Sequence, residues 1–362
     1  MKKILVVDDS ALMRRVLCDI INSDERFHVE DRATNGLEAF DLLSRKTYDA
    51  VVLDVNMPKM GGIELLRELQ KFKISARVMM ASTATSEGAK VTLDALELGA
   101  VDFIHKPVSA GDCRGVDFKE RLLKILAVVS DSAVDMPVQG AAKPFRQKPV
   151  VAVPVAKSEV PAKASTGVIG KKLVAIASST GGPKALQSVI PRLPKDLQAP
   201  VLLVQHMPKG FTASLAERLD SLSEITVREA AEGDVLENGC VYLSVGGSHL
   251  TVAVNAAGRY VIHYTDEPPR EGVRPCANYM YESLGNCRFD EIVCVVMTGM
   301  GADGTQGISN LKNNKKIHVI AQEQSTCVVY GMPKSIVTAG LADQIVPLEQ
   351  IAQAITAKVG GK

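Results

Sequence analysis

Asp8, Asp9 and Asp54 are carboxylates at the ends of two short apolar runs, residues 4–7 and 50–53. Lys106 closes a third run, residues 101–105, just before Pro107. Carboxylates crowded together repel one another unless a cation joins them, and an all-oxygen site suits Mg²⁺. A lysine facing such a cluster is placed to pair with a phosphoryl group. A second set lies further along the chain. Ser179 sits in Ser178-Ser179-Thr180-Gly181-Gly182-Pro183, His206 in Gln205-His206-Met207-Pro208, and Asp303 in Met297-Thr298-Gly299-Met300-Gly301-Ala302-Asp303-Gly304. Hydroxyl, imidazole and carboxylate are the parts of a nucleophile activated by an oriented base, and they work in any chain order.

The elements that must hold these groups follow from periodicity. Short apolar runs bounded by turn residues and alternating with helical stretches read as buried parallel strands. In open parallel sheets ligand chemistry gathers beyond the carboxyl ends of the strands. Residues 1–130 read as repeated strand–helix units punctuated by Asn35-Gly36, Gly61-Gly62 and Gly99. Leu12, Val16 and Ile20 give residues 12–22 an apolar helical face, and residues 118–129 form a last amphipathic helix.

The composition then shifts. Residues 131–168 are rich in Pro, Ala, Lys, Val and Ser, with Pro137, Pro144, Pro149, Pro154 and Pro161 recurring, which reads as a semi-rigid linker. From Lys171 the alternation resumes, so residues 169–362 form a second domain. Residues 173–178, 201–206, 292–297 and 318–322 read as buried strands. Residues 240–243, 250–255 and 260–264 are expected to make an antiparallel hairpin region, with Asn255-Ala256-Ala257-Gly258 as a turn. The fold class expected is α/β, with two doubly wound parallel-sheet domains and a β-hairpin insertion in the second.

Composition excludes several classes. At 362 residues the chain holds two domains, each large enough for its own core. The net charge is +1, and neither a basic tract nor a basic–aromatic stripe marks a nucleic-acid partner. No apolar stretch approaches a membrane span, and Asp8 cuts the first run too short for a signal peptide. Seven scattered cysteines without CxxC spacing suit a reducing compartment, so a cytoplasmic location is expected.

The second set has rival readings. Ser179 could be a helix cap, His206 a structural histidine and Asp303 a cap of the following helix. Gly299-Met300-Gly301-Ala302-Asp303-Gly304 is also a GxGxxG sequence between a strand and a helix, and Glu323 follows at the spacing of a ribose-binding acid. Against a dinucleotide, Asp303 would sit at a helix N-terminus where pyrophosphate needs positive potential. That reading also leaves Ser179 and His206 without a role.

Val7-Asp8-Asp9-Ser10, Leu53-Asp54-Val55-Asn56-Met57-Pro58, Ala81-Ser82-Thr83 and Lys106-Pro107 together resemble a response-regulator receiver, of the flavodoxin-like fold. The resemblance implies that Asp54 accepts phosphate. It implies Mg²⁺ held by Asp8, Asp9, Asp54 and the Asn56 backbone carbonyl, and phosphoryl contacts from Ser82 and Lys106. Phe103 would be the aromatic that switches rotamer. From about Lys171 onward the chain resembles the catalytic domain of the chemotaxis protein-glutamate methylesterases, a Rossmann-like fold. Arg274-Pro275 and residues 325–333 fit as well as the three motifs above. That resemblance implies Ser179 as nucleophile, His206 as base, Asp303 as its partner, and backbone amides of Thr180 and Met300 as oxyanion donors. Here Ala177-Ser178 precedes the serine where the family more often has Gly-Ala, so two serines stand side by side. The activities implied are demethylation of receptor glutamate esters and deamidation of receptor glutamines. The partners implied are methyl-accepting chemoreceptors and a chemotaxis histidine kinase, with no cofactor needed for ester hydrolysis.

Overall fold

The computed structural model describes residues 1–82, 86–107, 116–132 and 171–361. The first domain contains β1 (Lys2–Val7), β2 (Phe27–Ala33), β3 (Ala50–Asp54), β4 (Val78–Ser82) and β5 (Asp102–His105). They form one sheet in the order β2-β1-β3-β4-β5, with every neighbouring pair parallel. β3 is buried at all five positions, as a strand covered by helices on both faces must be. Its apolar run therefore shows no alternation. The helix Ala11–Asn22 starts at Ser10, whose hydroxyl accepts from the Met13 amide. It buries Val16, Leu17 and Ile20 against the sheet.

The second domain holds β6 (Lys172–Ser178), β7 (Val201–Gln205), β8 (Thr226–Glu229), β9 (Cys240–Leu243), β10 (His249–Val254), β11 (Tyr260–Thr265), β12 (Glu291–Val296), β13 (Ile317–Gln322) and β14 (Gln344–Val346). Seven of these make a parallel sheet, β14-β13-β12-β6-β7-β9-β8. β10 and β11 pair antiparallel, from His249 opposite Thr265 to Val254 opposite Tyr260. The two-domain α/β expectation holds.

Three details differ from the sequence reading. Residues 240–243 do not join the hairpin: β9 runs parallel between β7 and β8, buried at every position. Its neighbours along the chain, β10 and β11, alone make the hairpin. The edge strands β8 and β14 were not anticipated, being only four and three residues long with polar or charged positions. The helix Val116–Asp131 runs one residue into the segment read as linker; residues 133–168 of that segment lie outside the described residues.

β6 occupies the topological switch point of the larger sheet. β7 follows it on one side, whereas β12 lies on the other. A crevice opens outside the carboxyl ends at such a point. Ser179 follows β6, His206 follows β7, and Asp303 lies seven residues past β12. The first two connections are short, and backbone bonds pin them: Ser179 N donates to Thr298 O and His206 N to Ser178 O.

Candidate functional site

In the first domain the sheet's carboxyl end gathers the expected acids. Asp8, Asp9 and Asp54 each offer a carboxylate oxygen within 4.8 Å of the others. Asp8 and Asp54 are buried whereas Asp9 is exposed. Lys106 Nζ lies 2.8 Å from Asp8 Oδ2 and 2.7 Å from Asp54 Oδ1. Burial raises the Asp54 pKa, and the nearby ammonium opposes it. Ser82 is buried at the end of β4, and its carbonyl accepts from the Lys106 amide. Asn56 is exposed two residues beyond Asp54, and its carbonyl accepts no hydrogen bond among the described residues. The three convergent carboxylates form a hard-oxygen donor set that fits Mg²⁺.

In the second domain His206 Nε2 and Asp303 Oδ2 are 2.7 Å apart. Asp303 is 2% exposed and takes five donors. Besides His206 these are Ala277 N at 2.6 Å, Asn278 N at 2.9 Å, Gly304 N at 2.8 Å and Cys276 Sγ at 3.0 Å. Burial alone would raise this carboxyl's pKa. The bonds from His206, Cys276 and the amide of Ala277 outweigh it and hold the pKa below the usual value. With Nε2 on the acid, Nδ1 is the ring nitrogen left for a nucleophile.

The adjacent serines separate cleanly. Ser178 is wholly buried and donates to Gln205 Oε1 at 2.7 Å. Ser179 is half-buried, lines the same cleft as His206, and its hydroxyl has no hydrogen-bond partner among the described residues. Two glycines let it sit there. Gly181 adopts φ +75°, a left-handed conformation that costs a side chain dearly. A Cβ on Gly299 would fall 2.8 Å from that of Ser179. The amides of Thr180 and Met300 have no acceptor among the described residues, and both residues line the cleft.

The GxGxxG run is used differently from a dinucleotide cradle. Gly299 N donates to Val329 O, and Gly304 N to Asp303 and Asn278. The buried Asp303 carboxylate stands where pyrophosphate would lie.

The cleft measures about 400 Å³, and the first domain makes one wall of it. Asp102, Phe103 and Arg121 face Ser179, His206 and Arg274. Thr180 Oγ1 donates to Asp102 Oδ2 at 2.6 Å. Phe103 is 5% exposed and stacks on Phe211 with centroids 4.8 Å apart, and His105 meets the same ring edge-on at 6.3 Å. Lys90 and Glu217 pair at 3.1 Å, and Arg218 pairs with Glu97. Sequence reasoning missed Asp102, Phe211 and Cys276. Their partners lie 27 to 108 positions away in sequence, a separation no local pattern records.

Comparison with known proteins agrees with both halves of this picture. Residues 174–355 match the CheB methylesterase family and residues 4–115 the response regulator receiver domain. The protein-glutamate methylesterase/protein-glutamine glutaminase of Bacillus subtilis (strain 168) is 42% identical over 361 residues, covering 99% of each chain. The protein of that name from Pyrococcus horikoshii is 43% identical, over 99% of this chain and 93% of its own. The crystal structure of the Thermotoga maritima CheB methylesterase catalytic domain is similar with a TM-score of 0.51 and 40% identity. It covers 53% of this chain and 100% of that one.

Proposed function

The chain belongs to the CheB methylesterase family, and on that premise we propose that it hydrolyses γ-glutamyl methyl esters of chemoreceptors with Ser179, under control of phosphorylation at Asp54. The same chemistry deamidates receptor glutamines. The observation that carries the reading is the buried His206–Asp303 pair opening onto the same cleft as an unpartnered serine hydroxyl.

In the first half-reaction His206 Nδ1 takes the Ser179 proton as Oγ bonds to the ester carbonyl carbon. The oxyanion of the tetrahedral intermediate is met by the free amides of Thr180 and Met300; one such donor is worth roughly 10²–10³ in rate. The imidazolium, held by Asp303, gives its proton to the departing methoxide, and methanol leaves. Water then attacks the acyl-enzyme with His206 again as base, and a glutamate carboxylate and free Ser179 result. For glutamine the leaving group is ammonia. No cofactor enters this cycle.

Asp8, Asp9, Asp54 and the Asn56 carbonyl would hold Mg²⁺ in the receiver, where the ion neutralises charge on a phosphoryl group. Ser82 and Lys106 flank Asp54 to meet that group, and a histidine kinase is the donor. With Phe103 seated on Phe211 and Asp102 bonded to Thr180, the receiver closes over Ser179. Phosphorylation favours a Phe103 rotamer that leaves Phe211, and the cleft opens to a receptor. Residues 1–130, 131–168 and 169–362 are thus regulator, linker and enzyme.

Replacing Ser179 with Ala should abolish methanol release from methylated receptor membranes, whereas Ser178→Ala should retain it. Turnover by Ser179→Ala at the wild-type rate refutes the triad.

A further inference from the structure

We propose that Cys276 is a positioning residue of the esterase, its thiol holding the Asp303 carboxylate in the orientation and basicity that His206 requires. The inference rests on the Ser179–His206–Asp303 reading and goes beyond it, because the reaction itself gives Cys276 no task.

The geometry is specific. Cys276 has no exposed surface and lies 3.0 Å from Asp303 Oδ1, the oxygen turned away from His206. Burial and the neighbouring carboxylate push its thiol up to about 12, so the sulfur keeps its proton and acts as a donor at working pH. Cys276 is itself fixed from behind. Its amide donates to His249 Nδ1 at 3.1 Å, and His249 Nε2 faces Pro268 O at 3.3 Å. The His249 ring packs on Tyr279 with centroids 4.4 Å apart. A line of contacts therefore runs from the β10 hairpin through Cys276 and Asp303 to His206.

A carboxylate has about four lone-pair directions. Two donors, His206 and Ala277 N, take Oδ2, whereas Cys276, Asn278 N and Gly304 N crowd Oδ1. The two amides on Oδ1 belong to the backbone and survive any side-chain change. Among the described residues the thiol is the one side-chain donor to Asp303 besides His206, so it is the adjustable part. It draws negative charge toward Oδ1, which weakens the pull of Oδ2 on the imidazolium. Without it the carboxylate favours His206 protonation more strongly, and the base becomes available only at higher pH.

Other roles fit poorly. Cys276 has no solvent access for modification, and it does not line the cleft, so it is no nucleophile.

The test uses the full chain with methylated receptor membranes, following methanol release against pH. Cys276→Ala should lower kcat by about tenfold with KM unchanged, the scale of losing an outer-shell partner. It should also move the acid limb of kcat to higher pH. Cys276→Ser, which restores a donor, should bring kcat back to within about threefold of wild type, with its limb at or below the original because a hydroxyl is the stronger donor. Wild-type kcat and limb in Cys276→Ala overturn the proposal, as does a Cys276→Ser variant equally impaired. Should Cys276→Ala fail to fold by circular dichroism, the limb of Cys276→Ser decides, and a limb shifted upward overturns the proposal. Ser179→Ala run in parallel separates the two readings: activity there defeats the triad itself, whereas an inactive Ser179→Ala beside a wild-type-like Cys276→Ala defeats only the role of Cys276.

Discussion

Asp102→Ala should release the esterase without phosphorylation. Asp102 Oδ2 accepts from Thr180 Oγ1 at 2.6 Å, and Thr180 adjoins Ser179, so the bond exists only while the receiver covers the cleft. Burial raises the pKa of this carboxyl, against the bonds from Thr180 and the Phe103 amide and the charge of Arg121. The desolvation cost cuts into the gain, which places the net worth of the bond near that of an ordinary hydrogen bond, about 1 to 1.5 kcal/mol. Losing it lowers the ratio of docked to undocked molecules roughly five- to twelvefold. While most molecules are docked, unstimulated turnover rises by the same factor, up to the ceiling set by the free enzyme domain. A fragment beginning at Lys171 supplies that ceiling. The similarity to an isolated catalytic domain from Thermotoga maritima supports its folding alone, and it lacks residue 102, so one reference serves both proteins. The assay is methanol release without phosphodonor, for wild type, variant and fragment. A variant within twofold of wild type, beside a fragment at least tenfold faster, would show that this bond does not hold the gate. A fragment no faster than the resting full chain would remove the gate altogether.

Two further outcomes test the switch. Asp54→Asn should keep the resting rate and lose stimulation by acetyl phosphate, and surviving stimulation assigns the switch elsewhere. His105 predicts a pH effect: its Nε2 is buried without a partner among the described residues, and burial first, then the charge of Arg121, lowers its pKa from 6.5. Arg121 belongs to the receiver and acts whether or not the domains are docked, but docking adds the Phe211 ring against His105 and so favours its neutral form; docking is at full strength above pH 6.5 and weakens as pH falls toward the docked value. By about pH 5.5 the weakening is bounded at roughly tenfold. The ratio of full-chain to fragment turnover, taken at each pH so that His206 cancels, should rise on acidification and be flat in His105→Leu. An equal rise in that variant sinks the assignment.

Much of this was legible in the chain because strand ends announce themselves. Apolar runs stop abruptly at Asp8, Asp54, Ser178 and Gln205, and a parallel sheet puts those stops on one edge. Ser179, His206 and Asp303 can thus be grouped from the sequence. The choice between Ser178 and Ser179 could not be made from spacing; it depends on which hydroxyl reaches Gln205. β9 was misplaced because a four-residue apolar strand reads alike in a hairpin and in a parallel sheet. Cys276 was invisible because a buried cysteine is ordinarily core. Its meaning comes from a carboxylate 27 residues later.

A single strand ties the Asp54 site to the esterase cleft. β5 begins at Asp102, which holds Thr180, and ends one residue before Lys106, which contacts Asp54 and Asp8. Four steps at roughly 3.3 Å span that distance, so both ends belong to one rigid element. Alternation along a strand puts Phe103 and His105 on a common side, and both touch the Phe211 ring. Any movement of Phe103 that follows charge neutralisation at Asp54 therefore acts directly on the contact sealing the cleft. The domains also meet beside the cleft, where the helix Ser86–Glu97 packs on the helix Phe211–Leu222 and Arg218 donates to Glu97. Lys90 and Glu217 are both about two-thirds exposed, and such pairs contribute little in water. At the cleft itself the hold consists of the Phe103–Phe211 stack and the Asp102–Thr180 bond. Contacts of this scale at the cleft lie within the few kcal/mol that a phosphoryl group's differential interactions can supply.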